Sequence, residues 1–279
     1  EGKSAEFLHN RISVLRILAD WLGKRHLVGD LSDYFPNERT RRKTATEEDL
    51  SYKAKGIDPI KVIEEAKAID ERLAAMIAMQ FAFGLRVKES IEIRPANSVV
   101  DGGVAIEVFA GTKGGKLRRI PVKDDYQRAT LAWVRQVAAS GKTGRLRWPD
   151  TTWRQAQNRY YYLVRDRLNL SKAQSDFTSH GFRHGFGHKG YEDRTGYPPP
   201  VRVPEGHSKP VPSPACPPEK HSKPVPLPPP GLDRDVHKQA LLDVSRELGH
   251  VREGATAAYV GTYRHGFRRR KGKVTIKQV

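Results

Sequence analysis

The sequence predicts a mainly α-helical protein with one small antiparallel β-hairpin, an α+β arrangement. Three observations lead there. Apolar residues recur at helical spacing in most segments between residues 6 and 260, and only residues 104–122 hold two strand-like runs around a glycine-rich turn. Residues 197–231 hold 14 of the chain's 19 prolines, which interrupts the helical pattern. At 279 residues and 37% hydrophobic content, the chain is long enough for one large or two moderate domains with real cores. No window approaches the roughly 20 apolar residues that a membrane-spanning helix needs, so no membrane partner is expected. The start, Glu1-Gly2-Lys3-Ser4, has neither an apolar leader nor an initiator Met and reads as trimmed. A single cysteine, Cys216, excludes an internal disulfide framework and a multi-cysteine zinc site, and fits a cytoplasmic setting. Fifty Lys and Arg against 32 acidic residues leave a formal net charge of +18, which favours a polyanion, and nucleic acid is the commonest one.

In chain order, residues 6–27 set Phe7, Leu8, Ile12, Leu15, Leu18 and Leu22 at helical spacing between basic positions, one amphipathic helix. Tyr34-Phe35-Pro36-Asn37 breaks the pattern. The run that follows is a basic linker whose Arg39, Arg41, Arg42 and Lys43 are candidates for gripping DNA phosphates, although such a run is often simply solvated. Two helical segments are predicted between Ile57 and Phe83, the second over Ala68–Phe83 and apolar on most sides. Gly84 ends it as a left-handed cap, and Arg86 follows at the edge of that rigid element.

Residues 104–109 and 117–122 flank Gly111-Thr112-Lys113-Gly114-Gly115-Lys116 and read as a hairpin with a doubly basic tip. Lys113 and Lys116 are thereby presented on a loop, with Arg118 on the returning strand as a further DNA contact. The glycine spacing is wrong for a nucleotide-binding P-loop. Helices are predicted at 125–139 and 152–168. The latter interleaves aromatic and basic residues, among them Arg154 and Arg159 as phosphate contacts; rings at helical spacing also serve a core. A central helix runs from Ser179 to about Glu192. On it, His180 and Arg183 share one face, where a proton carrier and a guanidinium fork can meet one phosphate. His184 and His188 continue the series, but Gly181 stands where a zincin helix needs glutamate, so no metal is expected.

Within the proline-rich window, the segment 204–214 recurs as 218–228, a 14-residue tandem duplication. Such a composition favours extended polyproline II chain and excludes helix and sheet, and it reads as an insertion that serves as a spacer or, alternatively, as a docking arm for another protein. A helix over 233–248 then leads to Gly249-His250, and Ala255–Val260 begins another that bears Tyr259. The tail from Arg264 to Lys273 carries six Lys or Arg residues.

Taken together, Gly84-Leu85-Arg86-Val87-Lys88-Glu89, a hairpin lysine, His180-Gly181-Phe182-Arg183, Leu248-Gly249-His250 and a tyrosine nine residues later resemble the tyrosine recombinases, the phage-integrase family. The resemblance covers about residues 53–263, interrupted by the insertion at 197–231. Residues 1–45 resemble the last part of the family's helical, SAM-like core-binding domain plus its basic linker, and 264–279 form a basic tail. It implies a recombinase catalytic domain in which Arg86 and Arg183 clamp a phosphodiester and Tyr259 attacks phosphorus. It further implies His180 as base, His250 as a donor to the phosphoryl oxygen and Lys113 as the acid for the leaving 5′ oxygen. Tyr263, one helical turn beyond Tyr259, and Lys116 compete for two of these roles. The implied function is site-specific recombination of double-stranded DNA for a mobile element, with several protomers, a tetramer, in a synaptic complex and an accessory DNA-bending protein as a further partner. Neither metal, ATP nor other cofactor is implied. The rivals are a type IB topoisomerase and a non-catalytic DNA-binding protein that keeps the fold. The insertion adds one condition: the chain must re-enter the fold close to where it left.

Overall fold

The structure, a computed structural model, describes residues 3–36, 40, 42, 45–203, 208–209, 225–250 and 253–263. The chain divides into two compact units, residues 1–44 and 45–279. In the first, helix α1 (Ala5–Trp21) is capped by Ser4, whose hydroxyl accepts from the Phe7 amide at 3.3 Å, and a short α2 (Leu31–Tyr34) follows. Ile12, Ala19 and Leu31 are buried there, while Leu15, Leu18, Trp21 and Leu22 remain exposed. Of the basic linker, Arg42 is exposed, and Arg39, Arg41 and Lys43 lie outside the described residues.

The second unit opens with α3 (Pro59–Ile69) and α4 (Glu71–Phe83). Asp58 caps α3 and Pro59 fills its first turn, where no amide donor is needed. Asp70 separates the two helices: extended itself, it ends α3 and accepts from the Leu73 amide at 3.0 Å to start α4. The predicted start at Ala68 is therefore corrected to Glu71. Helix α4 is the central post, burying Leu73, Met76, Ile77, Met79 and Phe83 completely, at about 1.5–3 kcal/mol for each large side chain taken from water. Gly84 closes it with φ +60°, and a Cβ there would meet the Phe186 ring at 2.6 Å.

Helices α5 (Val87–Glu92) and α6 (Pro95–Ser98) lead into a three-stranded antiparallel sheet, β1 (Val99–Val100), β2 (Ala105–Val108) and β3 (Arg118–Pro121). The predicted hairpin is present, with Ile106 opposite Ile120, and β1 is an addition to it. Helix α7 spans Asp125–Ala139, as predicted. The predicted 152–168 helix is α8 (Trp153–Tyr162) continued by a π-type turn over Leu163–Arg167. Its rings divide between two roles: Tyr160 is fully buried and bonded to Gln80 and Ser179, whereas Tyr161 and Tyr162 are exposed.

Helix α9 (His180–Thr195) runs three residues past the predicted end and packs on α4, α10 (Arg234–Glu247) and α11 (Glu253–Val260). Between α9 and α10 the insertion is not free of regular structure. A 3-10 turn covers Pro200–Arg202, and β4 (Ser208–Lys209) pairs antiparallel with β5 (Val225–Pro226), one from each copy of the repeat. Each strand is only two residues long, and because Pro226 has no amide, β5 brings only the Val225 N–H as a donor. The chain returns where it left, because the Tyr197 hydroxyl donates to the Pro230 carbonyl at 3.1 Å. Among the described residues, no helix is long and apolar enough to cross a membrane. The basic tail, 264–279, lies outside the described residues.

Candidate active site

Five separate pieces of chain meet at the N-terminal half of α9. Arg183, on its second turn, is completely buried and anchored three ways. It donates from Nη1 to the Gly84 carbonyl at 2.5 Å, from Nη2 to the Leu248 carbonyl, and from Nε to the Tyr259 hydroxyl at 3.1 Å. Its acceptors are thus the cap of α4, the end of α10 and the side chain of α11. Burial lowers its pKa to about 10, so it stays cationic at neutral pH.

Arg86 sits just before α5 with about a quarter of its side chain exposed. Its Nη1 donates to Glu89 at 2.7 Å, its amide to the other carboxylate oxygen at 2.7 Å, and its Nη2 lies 3.5 Å from His250 Nε2. Glu89 is fully buried and also takes a two-pronged pair from Arg118 at 2.9 and 2.7 Å. Burial alone would raise the Glu89 pKa, but Arg118, Arg183 and Arg86 outweigh it and the pKa is lowered. One carboxylate therefore orients Arg86 from behind and leaves its open edge facing the cleft.

Histidines ring the tyrosine. The His180 and His250 rings lie 5.6 and 5.8 Å from the Tyr259 ring, and His184 lies 5.0 Å from it. Burial lowers the pKa of both His180 and His250 to about 4, and the neighbouring Arg183 and Arg86 push the same way. Both are neutral imidazoles at physiological pH, able to accept a proton. Among the described residues, no group of three or more His, Cys, Asp or Glu is arranged to hold a metal ion.

The two tyrosines are separated by their surroundings. Tyr259 faces Arg183 and His250. Tyr263 instead packs on His237, with ring centroids 5.2 Å apart, and its hydroxyl reaches the Pro198 carbonyl at 3.4 Å. Burial raises the Tyr263 pKa to about 12, which works against a phenolate.

The remaining expectations divide. The backbone of Lys113 opens a tight turn, Lys113–Gly115, at the hairpin tip, and its side chain lies outside what is described. Lys116 is exposed on that tip. Arg154 is exposed over the Trp153 ring at 5.3 Å, and Arg159 lies on the Trp148 ring while paired with Asp70 at 3.0 Å. Arg118 is corrected from a DNA contact to an interior residue: its inward register on β3 buries it, and Glu89 takes its guanidinium in a two-pronged pair. Glu89 itself carried no role in the sequence reading. Its signal was its place three residues after Arg86, where a carboxylate folds back on the helix start.

A family model described as Integrase matches residues 46–189, just over half of the chain. The match contains Arg86, Lys113, His180 and Arg183 and ends before His250 and Tyr259. No curated protein and no solved structure matches the chain.

Proposed function

The chain belongs to the integrase family, and from that premise we propose that it is a site-specific DNA recombinase of a mobile element. It cuts and rejoins double-stranded DNA through a 3′-phosphotyrosyl intermediate. The observation that carries this is the 3.1 Å hydrogen bond from Arg183 Nε to the Tyr259 hydroxyl, with Arg86 and His250 on the same side. A nucleophile and an anion clamp share one cleft.

In the forward step Tyr259 Oη attacks phosphorus and gives its proton to the neutral imidazole of His180. Arg86 and Arg183 bind the non-bridging oxygens and offset the charge of the pentacovalent transition state, and His250 donates to one of them. The bond from phosphorus to the 5′ oxygen breaks, and Lys113 protonates that oxygen. Rejoining reverses each transfer: a 5′ hydroxyl attacks, Lys113 takes its proton, and Tyr259 leaves with a proton from His180. Because the ester bond is conserved, the cycle uses neither ATP nor metal.

Residues 1–45 serve as the end of a helical DNA-clasping domain, and the exposed Arg42, Lys116 and Arg154 hold phosphates around the cut. The working assembly is a tetramer of protomers on paired sites, joined by an accessory DNA-bending protein. The test is incubation of the full chain with a nicked suicide substrate bearing its site. A covalent adduct is expected that survives EDTA, disappears in Tyr259→Phe and persists in Tyr263→Phe. An adduct kept by the first variant and lost in the second would reject Tyr259 as nucleophile.

A further inference from the structure

His188 is completely buried two helical turns after His180, and the chemistry above makes no use of it. Its Nε2 lies 2.8 Å from the backbone carbonyl of Tyr259. A carbonyl only accepts, so Nε2 carries the hydrogen and the tautomer is fixed. Tyr259 is in the last turn of α11, where helix carbonyls lack partners within the helix. His188 satisfies that carbonyl from the helix that also carries Arg183.

Behind His188 stands a second layer. Its Nδ1, left without a hydrogen by that tautomer, has no hydrogen-bond partner among the described residues and lies 3.6 Å from the Asp49 carboxylate, which instead accepts from Arg202 Nε at 2.7 Å. Arg202 closes the 3-10 turn at the root of the proline-rich insertion and is itself fixed by Ser51 at 3.0 Å and Glu192 at 2.9 Å. The same root touches the end of α11 directly. A Cβ on Gly261 would come within 3.0 Å of the Val201 amide nitrogen, and Tyr263 reaches Pro198.

We propose that His188 is a positioning residue for the nucleophile, and that the root of the insertion, held by Arg202, braces the same turn through its direct contact with the end of α11. By holding the Tyr259 carbonyl it fixes the last turn of α11, and with it the direction in which the Tyr259 hydroxyl meets Arg183 and the phosphate. His188 touches no reacting atom; its effect passes through the backbone of Tyr259. The insertion thereby contributes to catalytic geometry although it interrupts the catalytic domain.

The inference rests on Tyr259 as nucleophile, and the experiment keeps the two apart. Adduct formation on the suicide substrate is timed at saturating DNA, with DNA affinity measured alongside, for native protein, His188→Leu, His188→Gln, Arg202→Ala and Tyr259→Phe. His188→Leu fills the space without a donor, and its rate should fall by about ten- to a hundredfold, the scale of an ångström of misplacement, at unchanged affinity. His188→Gln offers an amide N–H near the Nε2 position and should recover most of the rate. Arg202→Ala should fall in the same sense but less. A native rate in His188→Leu, or equal losses in the Leu and Gln variants, overturns the proposal. Should His188→Leu not fold, a native rate in Arg202→Ala overturns the brace. An adduct that survives Tyr259→Phe removes the nucleophile reading instead.

Discussion

Glu89 is a single carboxylate, fully buried, that balances two guanidinium groups, Arg86 toward the cleft and Arg118 toward the interior. Removing one member of such a buried pair is costlier than the pair is worth, because the remaining charge has no water to turn to. Glu89→Gln keeps the shape and loses the charge, and is expected to destabilise the protein by about 3–5 kcal/mol in denaturant unfolding. It should also slow adduct formation more than it weakens DNA binding, since Arg86 would no longer be held edge-on to the cleft. Unchanged unfolding in this variant would show that Arg118 finds its balance elsewhere. The residues proposed to meet the phosphate were picked out in the sequence by their types and order, and the structure brings Arg86, Arg183, His180, His250 and Tyr259 together. The inward place of Arg118 was not legible there: on a short basic strand beside a basic tip, an inward arginine looks the same as an outward one until its acid partner is placed.

Helix α9 is built against its own propensity. Gly181, Gly185, Gly187 and Gly190 lie within sixteen residues, and each glycine in a helix costs about 0.8–1 kcal/mol relative to alanine. Close packing explains why they stay. A Cβ on Gly181 would sit 2.1 Å from the Phe177 ring and 2.7 Å from the Leu50 carbonyl, so the helix can approach the chain before it only at that residue's bare backbone. Gly181→Ala is therefore expected to destabilise by about 1–3 kcal/mol despite its better helix propensity, read as a lower thermal midpoint. A raised midpoint would mean that Leu50 and Phe177 move aside easily. Helices with a clear apolar period, such as Asp125–Ala139, were legible to the residue. The boundary at Asp70 was missed because its carboxylate acts as a cap for the following helix, and the apolar period runs through it uninterrupted. Strand β1 was missed because two valines pair only once β2 is beside them.

At the scale of the whole molecule, burial has set several histidines far from their ordinary titration. His180, His188, His237 and His250 are each lowered to about 4, chiefly by loss of water. Unfolded, they take up protons near 6.5. Between those two values the unfolded chain binds more protons than the folded one, so stability is full above pH 6.5 and drains as pH falls toward 4. Thermal unfolding at pH 4.5 should show a midpoint lower than at pH 7.5 by roughly 10 °C or more. An unchanged midpoint would mean that these rings are hydrated in solution. The order of the chemical groups along the chain made the site legible across a 35-residue interruption, whereas the closure that permits it, Tyr197 on Pro230, depends on a contact that composition does not encode.

That closure decides how much the length of the inserted chain matters to the fold. A segment whose two ends are pinned to each other can gain or lose whole repeat units without changing the distance its ends must span, and each doubling of a loop costs only about 0.6 kcal/mol in closure entropy. The 14-residue duplication is then a change the fold can absorb, since it adds chain between two fixed ends. The number of units can change without moving the roots, whereas a change at Tyr197, Arg202 or Pro230 acts on the closure itself.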